Sequence, residues 1–264
     1  MRHPIPVSCL LALLLFPGLA GEARAADAYA TPADLGKALF FDTNLSKNRT
    51  QACATCHNPA NAFTDPRETA VGRAVSLGDD GTSLGDRNTP TAAYAKFAPK
   101  FQRLKDGRYV GGQFLDGREP DLAGQAGGPP LNPIEMGMPD KASVVKRLWE
   151  YPPYVTAFAK LFGPKVTDDT DAAYAAMTQA IAAFEQTEEF APFDSKYDRF
   201  LRGEAKLTDQ EELGRLLFFS QQFTNCNQCH QLHAVQPAKG ETFTNYQFHN
   251  IGIPVNTAVR QANG

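Results

Sequence analysis

The 264-residue chain has little of several things that would define it at a glance. It carries five cysteines, five histidines and a single tryptophan. Cys9 falls in an N-terminal apolar stretch and the other four cysteines fall inside two short motifs, which leaves no thiol for a structural disulfide. No run of lysine and arginine stands out and the formal net charge is −3, so the electrostatic footprint of a nucleic-acid partner is missing. Long apolar runs are missing too. The longest, Val7 to Leu19, is broken by Ser8, Pro17 and Gly18 and is shorter than the roughly 20 residues that a spanning helix needs. It follows Met1-Arg2-His3 and leads into Ala23-Arg24-Ala25, the order of a secretory signal peptide with an A-x-A cleavage site. Residues 1–25 are therefore expected to be a leader cleaved near Ala25, with no integral membrane segment after cleavage. The 239 residues beyond it suffice for one large or two small domains.

What is present is a pair of matching motifs, Cys53-Ala54-Thr55-Cys56-His57 and Cys226-Asn227-Gln228-Cys229-His230. Cys-x-x-Cys-His is the attachment pattern of a c-type haem. Two thioethers anchor the porphyrin edge, and the adjacent histidine lies under the iron as its proximal ligand. The cysteines alone admit two other readings, vicinal disulfides in an exported chain or a zinc site built from two pairs. Zinc would not require a histidine directly after each second cysteine, and a thioredoxin-type motif wants a strand-helix context that neither site shows. Two haem c groups are the expected cofactors, on Cys53 and Cys56 with His57, and on Cys226 and Cys229 with His230.

The motifs belong to a longer repeat. Leu35-Gly36-Lys37-Ala38-Leu39-Phe40-Phe41 precedes the first and Leu213-Gly214-Arg215-Leu216-Leu217-Phe218-Phe219 the second, an offset of 178 residues. Each copy predicts a short amphipathic helix, then a loop, then the attachment site; Thr208 with Glu211 has the form of a capping box. Gly36 and Gly214 are each expected to let a second helix cross closely. Residues 58 to 140 are rich in Gly, Pro, Asp, Asn and Thr, and Phe63, Tyr94, Phe97, Phe101, Tyr109 and Phe114 within them are expected to order against a haem face. Helical periodicity follows over Ala142 to Tyr151, Tyr154 to Phe162 and Thr170 to Thr187, with Tyr174, Met177, Ile181 and Phe184 as a core stripe. The expected class is mostly α: two cytochrome c-like haem domains, 26–190 and 191–264, with long irregular loops and no extended sheet.

These units, with Gln113-Phe114-Leu115-Asp116-Gly117-Arg118, Arg87-Asn88-Thr89-Pro90-Thr91, Gly128-Pro129-Pro130-Leu131-Asn132-Pro133-Ile134-Glu135-Met136 and Ala180-Ile181-Ala182-Ala183-Phe184-Glu185, resemble the bacterial di-haem cytochrome c peroxidase and MauG family over nearly all of the mature chain. The resemblance implies a periplasmic enzyme that reduces hydrogen peroxide to water with electrons from a small redox protein, a cytochrome c or a cupredoxin. It makes the first haem peroxidatic and the second the point of electron entry. It places Glu135 as the acid-base carboxylate, twenty positions after Leu115, with Gln125, Pro129 and Arg118 in its surroundings. It also aligns Asn88 with a residue that helps to hold a calcium ion, one oxygen donor toward the six to eight that calcium takes. Family members that need reductive activation carry a distal histidine where this chain has Arg73, so the first haem is expected to be five-coordinate or to hold only water.

Two departures matter. Leu115 stands where the family usually has a tryptophan between the haems, and the sole tryptophan, Trp149, reads as helix core. Only 34 residues follow His230, whereas the family supplies the second haem's sixth ligand from much further on, so the C-terminal part is expected to be truncated. Met136, Met138 and Met177 all precede the second motif, His233 lies on the proximal side, and His249 is the remaining candidate ligand. The alternatives that stay open are a non-catalytic di-haem electron carrier and a MauG-like maturation enzyme acting on a protein substrate.

Overall fold

The computed structural model describes residues 29–232 and 240–263. The expected leader and His233 lie outside them. Helix α1, Pro32–Phe40, starts at a reciprocal capping box in which the Asp34 amide donates to Thr31 Oγ1 (3.2 Å) and the Thr31 amide donates to Asp34 Oδ2 (2.9 Å). Its Leu35, Leu39 and Phe40 are completely buried. The first attachment motif forms a single helical turn, α2, Cys53–Cys56.

The stretch from 58 to 140 is largely loop, as its composition predicts, with 3-10 turns at Pro59–Asn61, Ala95–Phe97 and Pro129–Leu131. A short ribbon pairs β1, Gln102–Arg103, antiparallel with β2, Tyr109–Val110. The five-residue α3, Leu122–Ala126, is capped by Asp121, whose carboxylate accepts from the Gly124 amide at 3.0 Å.

The periodic region then gives α4, Lys141–Trp149, α5, Pro152–Phe162, and α6, Thr170–Glu185. Aspartates at 140 and 169 cap α4 and α6, and proline at the first position of α5 has no N–H to lose there. Tyr174, Met177, Ile181 and Phe184 are all buried, the stripe that the spacing predicts. Trp149 packs edge-on against Phe158 with centroids 5.1 Å apart. The centre of this core is an aromatic knot: Phe40 meets Phe184 and Phe190 edge-to-face, and Phe63 stacks on Phe190 at 4.2 Å.

The second unit has α7, Lys196–Leu201, and α8, Asp209–Phe218, the latter with the predicted Thr208/Glu211 capping box. α8 buries none of its residues; Leu213 and Leu216 are more than half exposed. The expectation of a close helix crossing at both glycines holds only in the first unit. A β-carbon on Gly36 would meet the α6 backbone at Ala180, while nothing among the described residues lies within 4 Å of one on Gly214. The physical difference is that α1 has α6 laid across it, whereas no described helix covers α8.

Two contacts tie the chain after the second motif back to the first half. The 246–248 segment extends the ribbon: Gly111 donates to the Tyr246 carbonyl (2.8 Å), Phe248 donates to the Tyr109 carbonyl (3.2 Å) and the Arg108 guanidinium reaches Gln247 Oε1 (2.6 Å). The last helix, α9, Thr257–Asn263, buries Val259 against Val75 and Leu84, and its Arg260 and Asn263 both donate to Asp86, at 2.8 and 2.9 Å.

Candidate functional site

Each Cys-x-x-Cys-His turn is held the same way. His57 Nδ1 lies 3.2 Å from the Phe63 carbonyl, and His230 Nδ1 lies 3.0 Å from the Phe243 carbonyl. A carbonyl can only accept, so Nδ1 carries the proton and Nε2 is left for a metal. Both phenylalanines adopt left-handed backbone, φ 56° and 52°. Their rings meet the repeat's first phenylalanine edge-to-face, Phe40 with Phe63 at 6.5 Å and Phe218 with Phe243 at 6.0 Å. The two units are thus alike in three dimensions as well as in sequence. The four described cysteines are unpaired.

The first motif opens onto a cavity of about 490 Å³, within the usual range for a small-molecule or cofactor site. Cys53, Cys56 and His57 line it together with Gln125, Glu135 and Arg118, so the residues singled out by sequence converge on one space. Burial lowers the His57 pKa and keeps the ring in the neutral form that ligates metal. Burial pushes the Cys53 thiol up to about 12. The Cys56 sulfur accepts from Gln51 Nε2 at 2.9 Å and from Arg67 Nη2 at 3.2 Å, with Arg67 clamped by Asp65.

Glu135 reaches the cavity on a loop fixed, through Asp79, to the segment just before the first motif. Its carbonyl accepts from the Asp79 amide (2.7 Å), and the Asp79 carboxylate in turn accepts from the Asn48 amide and the Thr50 hydroxyl, both at 2.6 Å. Burial raises the Glu135 pKa; the Arg118 charge and the Asn132 side chain act in the opposite direction. Arg118 lies over the Phe114 ring at 3.6 Å and pairs with Asp116 at 2.8 Å. Leu115 sits beside them, half exposed, in the hairpin closed by the Gln113 and Glu119 pairing.

Of the six aromatics expected against a haem face, only Phe114 lines this cavity. Phe63 belongs to the helical core instead, Tyr94 and Phe97 pack on Phe193, and Phe101 stacks on the exposed Tyr109. The glycine-rich turns between them carry the aromatics away from the pocket and into separate contacts. Asn88 lines the cavity and its amide donates to the Arg73 carbonyl at 2.8 Å. The Arg73 side chain is two-thirds exposed and faces Glu68. No group of three or more His, Cys, Asp or Glu among the described residues is placed to hold an ion.

At the second motif Cys226 and Cys229 are half-buried and His230 is exposed, and an open pocket beside them is lined by Phe219, Asn227, Gln228 and Gln231. His249 is exposed and its Nε2 lies 3.4 Å from Asn245 Nδ2; the Asn245 amide donates to the Cys229 carbonyl at 2.9 Å.

Sequence reasoning missed Gln51, Arg67, Arg260 and Glu185, all placed at the first motif or its cavity. Glu185 alone left a signal, a carboxylate four residues after Ile181 on an otherwise apolar helix face. The first site fits a covalently held haem: two unpaired thiols, an imidazole with one nitrogen already tied, a cavity of adequate size, and buried polar atoms of Gln51 and Glu185 without partners among the described residues. The second has the same donor set, with the described residues forming one side of a site.

Paired haem-attachment turns on a mostly helical repeat define a di-haem c-type protein. The chain belongs to the di-haem cytochrome c peroxidase family, whose sequence profile matches residues 30–206. It is 53% identical to the methylamine utilization protein MauG of Paracoccus denitrificans over 98% of this chain and 66% of that protein. It is 35% identical to the cytochrome c551 peroxidase of Pseudomonas aeruginosa over 75% of this chain and 49% of that one. The crystal structure of the diheme peroxidase BthA from Burkholderia thailandensis superposes with a TM-score of 0.81 at 33% identity, covering 88% of this chain and 57% of that chain. The chain therefore spans about half to two thirds of the length of these relatives. Family membership implies two haem c groups. No helix among the described residues is long and apolar enough to cross a membrane.

Proposed function

We propose that the chain is the haem-bearing part of a periplasmic di-haem peroxidase, with 1–25 as leader, 26–190 as the peroxidatic unit and 191–264 as part of the electron-transfer unit. The observation that carries this reading is the convergence of Glu135, Gln125 and Arg118 on the cavity of the first motif. Bound at Cys53, Cys56 and His57, a haem would supply the redox chemistry. The chain's own part is proton handling. Peroxide reduction takes up two electrons and two protons to give two waters, and a carboxylate beside the bound peroxide can take the proton from one oxygen and return it to the other. Burial suits Glu135 to that task by moving its pKa toward neutrality. Arg118 supplies a positive charge beside it, and Gln125 an amide for orienting peroxide. Electrons would enter from a cytochrome c or cupredoxin at the second unit. Asn88 is retained as one donor of a calcium site.

A second reading, protein-directed oxidation as in a MauG-like maturation enzyme, draws support from the 53% identity to a MauG protein. Leu115 weighs against it, because an aliphatic side chain cannot carry a radical hole. A non-catalytic electron carrier is the third. Ferric-state EPR with a peroxide titration separates them: one high-spin haem consumed by peroxide supports the enzyme, and two low-spin haems inert to peroxide sink it. Poor turnover of small donors with oxidation of a protein substrate would favour the second reading.

A further inference from the structure

Ile181 and Glu185 lie one turn apart on α6, and both line the cavity of the first motif. Glu185 is 5% exposed, and its Oε2 is shut off from solvent with no hydrogen-bond partner among the described residues. An ionised carboxylate so placed carries a large desolvation cost with nothing to offset it. Burial alone pushes its pKa up to about 8. In the haem-free cavity the protonated form is therefore favoured, and the described residues offer its proton no acceptor; the positive charge of an oxidised haem would favour the ionised form.

The neighbouring charges leave it that way. From α1, Lys37 is committed to Glu189 at 2.7 Å. From α2, Cys53 and Cys56 are the attachment thiols and no longer titrate once bonded to haem. α3 carries no titratable side chain. From α4, Lys141 pairs with Asp171, and Lys146 and Arg147 lie on the last turn; from α5, Lys160 does the same. Across the cavity stand Glu135, Asp86, Asp116, Arg87, Arg118 and Arg260, with Asp86 paired to Arg260 and Asp116 to Arg118. Of these only Cys53, as a free thiol, interacts with Glu185, and that interaction ends once its sulfur is bonded to haem; burial alone raises the Glu185 pKa.

We propose that Glu185 is the proton-holding group of the first haem cavity, binding a proton as an electron enters the haem there and releasing it as the electron leaves. The inference rests on the reading that a haem occupies this cavity. Its physics is simple: an added electron makes the cavity more negative, which favours the neutral acid, and oxidation reverses this. One electron taken up is matched by at most one proton from solvent, so charge balances within the cavity. Glu185 acts here through the field of the haem and serves as a positioning residue for the proton, distinct from the acid-base role assigned to Glu135.

The test is potentiometric titration of the first haem in the holoprotein between pH 5.5 and 9.5, wild type against Glu185→Gln. The expected result is a wild-type potential that falls with pH around neutrality, by up to about 59 mV for each tenfold drop in proton concentration. In Glu185→Gln the slope should be clearly smaller over that interval, Glu135 being the remaining raised carboxylate of the cavity. An equal slope in both proteins overturns the proposal. Should the variant fail to fold, redox-triggered infrared difference spectra of the wild type decide: a protonated-carboxyl band that changes with electron uptake supports it, and no such band overturns it. A haem-content assay on Cys226→Ser/Cys229→Ser keeps the two failures apart. No covalent haem in that variant defeats the occupancy reading itself, whereas one haem with a Glu185-independent potential defeats this proposal alone.

Discussion

Gly36 crosses Ala180 so closely that a β-carbon on the glycine would stand 1.8 Å from the Ala180 carbonyl oxygen. That atom is backbone inside α6, so it cannot swing aside as a side chain would. Gly36→Ala should therefore separate α1 from α6 and cost about 3 kcal/mol or more. Its repeat counterpart is the control: Gly214→Ala, in an exposed helix with open space, should be neutral or stabilise by roughly 0.5–1 kcal/mol. Thermal unfolding of the two variants checks both directions.

Glu135→Gln should leave both haems attached and cut peroxide turnover by about two orders of magnitude or more, because the amide can neither take nor return a proton. The loop that carries it is held through backbone at Asp79, so the substitution leaves that anchor in place. Steady-state peroxide consumption beside haem content is the measurement, and unchanged turnover removes Glu135 from the chemistry.

Glu185 also predicts a pH effect on stability. Its pKa is about 8 folded against a usual 4.5, so between those values the folded chain binds the more protons. This group therefore leaves stability untouched below about pH 4.5 and lowers it as pH rises through 8, by at most about 1.4 kcal/mol per pH unit. His57, lowered by burial, pulls the other way near pH 6, so the clean observable is the difference between wild type and Glu185→Gln. Denaturant unfolding at pH 5 and pH 8 should show that difference shifting in favour of the variant as pH rises.

Leu115 offers a gain-of-function test. It is half exposed on a hairpin tip, so Leu115→Trp needs no room in the core and should change the melting temperature little. An indole at this edge of the first cavity should speed electron exchange between the haems, measured by flash reduction of the second haem. No change in rate would assign the exchange to another route.

Most of the fold was legible from period and punctuation. The α6 stripe and the Thr208 and Glu211 cap each follow from one local rule, and the helix expected from Tyr154 starts two residues earlier, at Pro152, because proline fits the first turn. The cavity wall was less legible, because its members come from distant segments with no shared pattern. Arg260 reaches the first haem's cavity from 30 residues past His230, carried there by Val259 packing on Val75 and Leu84, and nothing in its neighbourhood in sequence announces that. The aromatics of 58–140 misled for a related reason: positive φ at Phe63, Tyr94 and Phe114 turns neighbouring rings to different sides of the chain.

The paired phenylalanine carbonyls have an evolutionary reading. Phe63 follows His57 by 6 residues and Phe243 follows His230 by 13, yet each returns a left-handed carbonyl to the same ring nitrogen. A bulky side chain in that backbone region costs on the order of 1–3 kcal/mol. The duplication therefore kept an endpoint and let the path to it vary. For anyone grafting this motif into another scaffold, the loop length is a free parameter and the strained acceptor at its end is the part to copy.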